Sequence, residues 1–328
     1  MTAEAIFKAF TKKRILVIGD VMIDAYLRGN VTRVSPEAPV PIINLEESED
    51  RLGGAANVAL NLLALGAEPV LCSIVGDDYG ADKFYSLLAK RELSSEGIIR
   101  SSNRKTTIKT RVIGNNQQLL RVDEESVLLL SKQEEDTFIE HVGAILSLNI
   151  DAVIFEDYNK GLLTERVIGE VIGLCNDKDI IVTVDPKKDQ FFSYENVTLF
   201  KPNLKELKEG LNVDFENKDR PAFEKVIDLL EQKLKNKISF VTLSEQGVFV
   251  KEGSKKDYIP AHIRNVSDVS GAGDTVISLA TLCLTVGLTP CLMAEIANIA
   301  GGLVCEKSGV VPIDKELLKA EIRKLVLA

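Results

Sequence analysis

A loop of small residues in the last quarter of the chain combines the features of an anion site with a carboxylate. It reads Asp268-Val-Ser-Gly-Ala-Gly-Asp274, and an uncharged, mostly apolar run follows it as far as Leu284. The run predicts a buried helix whose first residue is Asp274, so free backbone N–H groups and the positive end of the helix dipole converge on the loop. Two glycines and an alanine let the backbone approach a ligand closely. Such a loop favours a bound phosphate.

Asp274 has two interpretations in that loop. A carboxylate beside a bound phosphate repels it, which is costly unless the carboxylate acts as a general base that takes a proton from a hydroxyl attacking the phosphate. Alternatively, Asp274 only caps the helix, because Asp is favoured at that position. The loop by itself does not decide between the two.

The elements that position this loop alternate between short apolar strands and helices, which predicts a largely parallel α/β sheet. The run at 14–19 is β-branched, apolar and ends in Gly, as is typical of a buried parallel strand. Further strands are predicted at 69–75, 151–155, 180–184, 199–200 and 239–243. Ligands of such sheets bind outside the carboxyl ends of the strands, so the residues that follow each strand are candidates for a site.

Carboxylates and lysines follow several of these predicted strands. Asp20 and Asp24 come after the first strand, where two carboxylates suit sugar hydroxyls, although Asp20 beside a Gly is also a common turn residue. Lys160, Lys187 and Lys201 follow three later strands. In an acidic protein this grouping favours a phosphorylated substrate, although a single lysine at such a place is more often a surface residue.

Two segments depart from the alternation. Residues 26–46 contain three prolines among β-forming residues and predict an edge strand or an excursion, and residues 106–123 predict a hairpin around Gly114-Asn115-Asn116. Together they could form a small sheet over the site as a lid, with Arg111 or Arg121 on its inner face, although strand charges are more often only solvated. We expect one domain over residues 1–328, with lid segments at about 25–46 and 106–123.

A Gly53-Gly54 pair opens a helical repeat that closes at Gly66. The two glycines permit close approach of a ligand to the backbone, or they form a plain turn before the helix.

Composition excludes several classes of protein. With 49 acidic and 40 basic residues the net charge is −9, which argues against a nucleic-acid partner. The five scattered cysteines predict reduced residues, and the amino terminus lacks the pattern of a signal peptide, so we expect a cytoplasmic protein. The uncharged run before Glu295 contains Gly287 and Pro290 and predicts two helices rather than a membrane span.

No competing site is evident in the sequence. Neither Gly-x-x-x-x-Gly-Lys-Ser/Thr nor Gly-x-Gly-x-x-Gly at the first strand occurs. The two histidines, His141 and His262, lack metal-ligand spacing and are most simply surface or core residues.

Taken together, these motifs resemble the ribokinase-like carbohydrate kinases. The resemblance rests on Asp268-Val-Ser-Gly-Ala-Gly-Asp274 paired with Gly53-Gly-Ala-Ala-Asn57. Four further motifs are similar to one branch, the D-glycero-D-manno-heptose 7-phosphate kinases: Arg33-Val-Ser-Pro-Glu-Ala-Pro-Val-Pro41, Thr107-Ile-Lys-Thr-Arg111, Asn116-Gln-Gln-Leu-Leu-Arg121 and Asp157-Tyr-Asn-Lys-Gly161. The resemblance extends from about residue 15 to residue 312.

The resemblance implies a doubly wound α/β/α fold with a small β-sheet lid, ATP as phosphate donor with Mg²⁺, and a homodimer through the lid. It implies a site made of a catalytic base, Asp274; an anion hole, Gly271, Ala272 and Gly273; sugar-binding residues, Asp24, Gly54 and Asn57; an Asn-x-x-Glu element near Mg²⁺ and the phosphates, Asn203 and Glu206; and residues near the nucleotide, Ser244, Gly247 and Asn298. Basic charge and the branch motifs make Arg111 and Lys160 candidates for the phosphate that the substrate already carries.

Two residues depart from the family pattern. Val269 stands where many ribokinase-like enzymes have Thr, although the heptose branch tolerates Val. Lys188 follows Asp-Pro-Lys where the branch usually has Gly, which leaves the role of Lys187 open, because a loop that needed Gly would have to change.

Two alternatives to a heptose 7-phosphate kinase stay open at this point. One is a ribokinase-like kinase for another sugar, sugar phosphate or nucleoside; the other is a sugar-binding regulator without catalysis, against which the intact Asp274 and Asn203-x-x-Glu206 speak. Many relatives also carry a nucleotidyltransferase domain with a His-x-Gly-His element. That element is absent from this sequence, so we expect the chain to make no nucleotide-sugar by itself.

Overall fold

A computed structural model describes residues 1–262 and 264–327 of the chain. Helices and strands alternate along most of it, as the apolar pattern predicts. The helices are α1 Ala3–Phe10, α2 Ala55–Leu65, α3 Tyr79–Lys90, α4 Lys132–Ile145, α5 Glu165–Asn176, α6 Leu204–Leu211, α7 Arg220–Leu234, α8 Ala272–Thr285, α9 Pro290–Cys305 and α10 Lys315–Leu327. The strands are β1 Arg14–Gly19, β2 Val21–Val34, β3 Pro41–Gly54, β4 Glu68–Gly76, β5 Ile98–Ser101, β6 Ile108–Gly114, β7 Gln117–Glu124, β8 Ala152–Glu156, β9 Ile181–Asp185, β10 Leu199–Phe200, β11 Ile238–Thr242, β12 Val248–Glu252 and β13 Lys255–Ile259.

The large sheet has the strand order β13-β12-β11-β10-β9-β8-β1-β4-β5. Its strands pair in parallel from β5 to β11, and only β12 and β13 are antiparallel. Strand β1 lies between β4 and β8, so chain order reverses on either side of it. The carboxyl ends of β1, β8 and β9 therefore lie side by side, where ligands of such sheets bind.

Helices cover both faces of the large sheet, and β1 shows how the sequence divides between them. Ile15 and Val17 pack into the core on one face, with apolar residues of α2, α8 and α9. Leu16 and Ile18 pack into the core on the other, with those of α4, α5 and α7. Successive residues of a strand point to opposite faces, so a continuous apolar run is needed when both faces are buried. This doubly wound α/β/α architecture is the one predicted from the sequence.

Strands β3, β2, β6 and β7 form a separate small sheet in that order. The 26–46 segment is more regular than predicted, because it belongs to two long antiparallel strands. Pro36 and Pro39 lie in the connection between them and Pro41 is the first residue of the edge strand β3, positions that do not require a backbone N–H. The hairpin prediction is confirmed, since Asn115 and Asn116 have φ values of 51° and 63° between β6 and β7. Both predicted lid segments lie in this sheet, and their action as a lid stays a prediction.

Two of the four connections between the small sheet and the rest of the chain are very short. Asp20 alone separates β1 from β2, and β3 runs directly into α2 at Ala55. The N–H of Ala55 donates to the carbonyl oxygen of Asp20 over 3.0 Å. The two connections are thus hydrogen-bonded to each other at the end of β1.

The predicted division of the uncharged run into two helices is confirmed. Thr289 caps α9 through its side chain and Pro290 is the first residue of that helix. Among the described residues, no helix is both long and apolar enough to cross a membrane. All five cysteines are free thiols, and Cys72, Cys175 and Cys283 are buried.

Candidate active site

Helix α8 begins at Ala272, so the prediction that Asp274 is its first residue is wrong by two residues. Gly271 is the N-cap, with φ 79°, a left-handed conformation that glycine adopts without strain. In the described chain the N–H groups of Gly273 and Asp274 have no hydrogen-bond acceptor, while that of Ala272 donates to the Val269 carbonyl oxygen over 3.3 Å. Two free N–H groups at a helix amino terminus form an anion-binding position.

The Asp274 carboxylate does not cap its own helix. Asn57 Nδ2 donates to its Oδ2 over 2.7 Å, and the Tyr158 hydroxyl donates to its Oδ1 over 2.9 Å. Asp274 is only 4% exposed. The capping interpretation therefore has no support in the geometry, and the carboxylate is held at the mouth of the anion-binding loop by groups from α2 and from the end of β8.

Burial raises the pKa of Asp274, and the charge of Asp185 raises it further. Hydrogen bonds from Asn57 and Tyr158 and the charge of Lys201 lower it, but do not cancel the rise. A carboxylate with a raised pKa is a stronger base than an ordinary one, and general bases work best when their pKa lies near the operating pH.

Two lysine–carboxylate pairs lie beside the loop. Lys201 Nζ is 2.8 Å from Asp185 Oδ2, and both side chains are almost fully buried. Lys187 pairs with Glu206. A Cβ on Gly273 would lie 3.2 Å from Asp185 Oδ2 and 3.8 Å from Lys201 Nζ, so this pair directly adjoins the anion-binding backbone.

These lysines are firmly charged. Burial lowers the pKa of Lys201, but the neighbouring carboxylates, led by Asp185, outweigh it and raise the pKa overall. The same balance, again led by Asp185, raises the pKa of Lys187. Two cations thus stand next to the loop at neutral pH, as a site for a polyphosphate requires.

A cleft of about 820 Å³ opens in front of the loop. All the predicted nucleotide and phosphate residues line it together with the Gly271–Asp274 loop: Asn203, Glu206, Ser244, Gly247 and Asn298. Asn203 and Glu206 form a capping box on α6. Gly247 has φ 91°, and a Cβ there would lie 2.0 Å from the Ile259 carbonyl oxygen, so only glycine fits.

The described side chains of the cleft provide few ligands for a metal ion. Among the residues that the structure describes, no three Asp, Glu, His or Cys side chains form a cluster that could hold a metal ion. Both oxygens of Glu206 are engaged, one by Lys187 and the other by the backbone N–H of Asn203. A Mg²⁺ ion that takes most of its ligands from nucleotide phosphates and water would fit such a site, and Glu206 would hold it only through water, since both its oxygens are engaged.

The predicted sugar-binding residues lie where the small sheet meets the large one. Asp24 is buried and forms an ion pair with Arg111, its neighbour on β6. A Cβ on Gly53 would lie 2.1 Å from Asp24 Oδ2, and Gly54 has φ 61°. Gly53 is thus required for close approach of the backbone to Asp24, and Gly54 for its positive φ and its approach to the Asp20 carbonyl oxygen, which a plain turn would not need.

The cations predicted for the substrate phosphate are only partly brought together. Arg111 and Arg121 are direct partners across β6 and β7, so they share one face of the small sheet. Arg121 is largely exposed and pairs with Asp123. Lys160 Nζ is 2.8 Å from Glu125 Oε2, just beyond β7. Each cation therefore has a carboxylate partner in the structure.

Sequence reasoning missed several groups of the site. Tyr158 stands in a motif that was recognised, two residues beyond β8, but its contact with Asp274 spans 116 positions. His262 is an exposed residue, as one of its two interpretations expected, and it also lines the cleft, which its place in the sequence did not indicate. Glu156 is buried and its Oε2 has no hydrogen-bond partner among the described residues. The strand-end position of Glu156 and Tyr158 was the available signal.

Two open questions of sequence interpretation have structural answers. Asp20 accepts the backbone N–H groups of Tyr158 and Lys160 over 3.0 and 3.1 Å, so it holds the loop after β8 and is a turn residue. Lys188 is exposed and does not have a positive φ, so its position does not require glycine. Lys187 accordingly reaches the cleft without a change in the loop.

The sequence profile of the "pfkB family carbohydrate kinase" matches residues 12–316. The chain belongs to this family of carbohydrate kinases. It is thus an enzyme that phosphorylates a sugar, and the family resemblance inferred from its motifs is confirmed.

A curated relative of high similarity is "Bifunctional protein HldE" of Helicobacter pylori strain HPAG1, which is 39% identical over 301 residues. The match covers 90% of this chain and 64% of that relative, so the chain spans less than two thirds of its length.

Solved structures of low sequence identity share the fold. Phosphofructokinase-2 from Escherichia coli, in complex with potassium, has a TM-score of 0.78 at 17% identity, covering 97% of this chain and 99% of that one. Ribokinase from Arabidopsis thaliana, complexed with ribose and ATP, has a TM-score of 0.71 at 15% identity, covering 95% and 99%. The ribokinase-like fold predicted from the sequence is confirmed.

Proposed function

We propose that this enzyme transfers the γ-phosphoryl group of ATP to the C1 hydroxyl of D-glycero-D-manno-heptose 7-phosphate, giving the 1,7-bisphosphate. The observation that carries the proposal is the position of Asp274, a buried carboxylate beside the free N–H groups of the anion-binding loop, held by Asn57 and Tyr158. The four branch motifs, and the similarity to bifunctional protein HldE, support heptose 7-phosphate as the acceptor.

In the proposed reaction, Asp274 accepts the proton of the C1 hydroxyl. The oxygen electron pair forms a bond to the γ-phosphorus, and the bond from that phosphorus to the β–γ bridging oxygen breaks, with ADP as leaving group. Free N–H groups of Gly273 and Asp274 donate to the phosphoryl oxygens on which charge develops. The 4% exposure of Asp274 favours this transfer over hydrolysis, because a site shielded from water has less competing solvent.

The cleft supports ATP as the donor. Lys187 and Lys201 are half-buried and buried cations beside the loop, and Ser244, Gly247 and Asn298 line the same cleft. ATP is also the nucleotide in the Arabidopsis ribokinase complex. When Mg²⁺ is bound, it neutralises charge on the phosphates; Glu206 would contact it through water, since both its oxygens are engaged.

The sugar acceptor would bind beside the small sheet. Asp24 and Asn57 would hold ring hydroxyls, and Arg111 and Lys160 would hold the 7-phosphate in exchange for their present carboxylate partners. Hydrogen bonds between charged groups are roughly twice as strong as neutral ones. With the far end fixed in this way, the anomeric hydroxyl is the one that faces Asp274.

An acceptor comparison tests the proposal. Heptose 7-phosphate, unphosphorylated heptose, fructose 6-phosphate, ribose and adenosine are offered under identical conditions with MgATP, and kcat/KM is measured for each. We expect heptose 7-phosphate to give the highest value, with phosphorus NMR showing the new phosphate on C1. A higher value for ribose or adenosine would sink the proposal.

Phosphorylated ketohexoses form the second candidate class of acceptor. The fold similarity to phosphofructokinase-2 favours them, and the cations on the small sheet suit any sugar phosphate. Fructose 6-phosphate in the same comparison separates this class from heptose 7-phosphate.

We also propose a homodimer through the small sheet. Leu45, Leu120 and Val122 lie on the face opposite Asp24 and Arg111 and are 57%, 50% and 48% exposed. Sedimentation should show a dimer that Leu120→Glu with Val122→Glu dissociates. Leu148→Glu, at an equally exposed leucine outside the small sheet, should leave it intact; a wild-type monomer at micromolar concentration would contradict the proposal.

A further inference from the structure

The Asp274 carboxylate is held from two sides by neutral donors. Asn57 reaches Oδ2 from α2, and the hydroxyl of Tyr158 reaches Oδ1 from the loop after β8. With one donor on each oxygen, the plane of the carboxylate is fixed. A base that must meet an incoming hydroxyl gains from such fixation, because small errors of placement cost large factors in rate.

Tyr158 is itself held firmly. Its backbone N–H donates to Asp20 Oδ2 over 3.0 Å, and Asp20 is buried. Its ring lies 5.5 Å from Lys187 Nζ, the cation paired with Glu206. The hydroxyl therefore approaches Asp274 from a support that the large sheet provides, and the ring forms part of the cleft wall between the base and Lys187.

We propose that Tyr158 is the positioning residue of the base: its hydroxyl orients the Asp274 carboxylate and favours the ionised form that accepts the acceptor's proton. The inference rests on the proposed function, since it takes Asp274 as the general base. Tyr158 receives no proton in the reaction and remains a donor throughout.

The charged surroundings agree with this role. Burial raises the pKa of Tyr158 well above its ordinary value, and the charges of Asp274, Glu156 and Asp185 add to the rise, so the phenol stays protonated at neutral pH. The groups that face Asp274 are Asn57 from α2, Glu156 and Tyr158 from the β8 end, Asp185 from β9 and Lys201 beyond β10. Of these, Asn57 and Tyr158 donate hydrogen bonds to it.

Tyr158→Phe tests the inference, with Tyr194→Phe as a matched control. Tyr194 also donates to a buried carboxylate, that of Asp157, over 2.9 Å, but does not touch Asp274. In Tyr158→Phe the acid limb of the kcat–pH profile should move up by about one pH unit, because the ionised carboxylate loses a hydrogen bond. Below the limb, kcat should then fall about tenfold, with the KM for ATP unchanged. In Tyr194→Phe the limb should stay in place.

A graded substitution covers the case in which the phenylalanine variant does not fold. 3-Fluorotyrosine at position 158 is a more acidic donor of nearly the same size, so the acid limb should move down. A loss of kcat of equal size at every pH, an unmoved limb, or the same shift in Tyr194→Phe overturns the inference. Asp274→Asn separates the two proposals: if it stays active, the base assignment fails; if it is inactive while the Tyr158 variants show no shift, only the positioning role fails.

Discussion

The most deeply buried lysine of the cleft, Lys201, and the lysine near the small sheet, Lys160, form the same kind of ion pair in different surroundings. Lys201 and Asp185 have side chains only 3% and 6% exposed. Lys160 and Glu125 are 15% and 26% exposed. A buried pair cannot open without leaving an uncompensated charge, whereas a more exposed pair can exchange partners at low cost. The Lys201–Asp185 pair is thus built to stay fixed, whereas the Lys160–Glu125 pair can exchange its carboxylate for another anion, as the proposed binding of the 7-phosphate requires.

The largest effect is expected from a substitution that removes phosphoryl transfer but leaves acceptor binding intact. Asp274→Asn preserves size but removes the proton acceptor, so kcat should fall by about 10²–10⁴. Nucleotide and sugar binding, measured by calorimetry, should be largely unchanged, because the small sheet and the lysines are untouched. Turnover near the wild-type rate would show that Asp274 is not the base.

Removing one lysine from each region tests the difference in burial directly. Lys201→Met leaves the Asp185 carboxylate buried without its partner, and should lower the free energy of unfolding by roughly 3–5 kcal/mol. Lys160→Met should lower it by about 1 kcal/mol or less. Urea denaturation of both variants measures the two losses, and equal losses would remove the basis of the comparison.

The selectivity for phosphorylated over unphosphorylated heptose tests whether the Lys160–Glu125 pair can open to bind a phosphate. Lys160→Ala should reduce kcat/KM for heptose 7-phosphate by about 10- to 100-fold, the range expected for one hydrogen bond to a charged group. The value for unphosphorylated heptose should change little. Lys205→Ala is the control, since Lys205 is 81% exposed and has only a 3.8 Å contact with Glu209. Equal losses with both acceptors would refute a phosphate-binding role.

The contributions of Asp157, in the loop after β8, and of Glu125, just beyond β7, to stability should depend on pH with opposite signs. Burial and the charge of Asp20 raise the pKa of Asp157 to about 6. The folded state therefore binds more protons than the unfolded one, and stability falls as pH rises from about 4 to 6. The hydrogen bond from Lys160 lowers the pKa of Glu125, whose contribution is instead lost as pH falls.

Asp157→Asn isolates the buried contribution. Relative to wild type, the variant should gain on the order of 1–3 kcal/mol of stability against unfolding as the pH rises from 4 to 7. Denaturation curves at these two pH values measure the change. Glu125→Gln should show the opposite trend, and a parallel change in both variants would contradict the assignment.

Much of the fold could be predicted because it depends on local patterns. Continuous apolar runs gave the strands of the large sheet, and Thr289-Pro290 gave the start of α9. The start of α8 was misplaced because Gly271, Ala272 and Gly273 offer no capping side chain, and the left-handed φ of Gly271 is visible only in three dimensions. The long strands β2 and β3 were obscured by prolines that lie in the connection between them.

The loops that form the candidate site could be predicted from the sequence, but the hydrogen bonds and ion pairs between those loops could not. Asp274, Asn57 and the cleft residues follow from motifs, each confined to a few consecutive positions. The partners of Asp274 come from α2 and from the end of β8, and only the strand order β8-β1-β4 brings these together. The carboxylate partners of Arg111 and Lys160 depend likewise on the register of the small sheet.

The hydrogen bond between Asp20 and Ala55 holds the start of β2 and the end of β3 together at one point beside β1. Of the four connections between the small sheet and the rest of the chain, the two shortest meet at this bond, so we expect a rotation of the small sheet to pivot near it. At about 3.3 Å per residue, Asp24 lies about 13 Å along β2 from the pivot and Arg33 about 43 Å. A small rotation about that point would move Arg33 roughly three times as far as Asp24, so the distance between Asp24 and Asp274 would change much less than the position of the far tip.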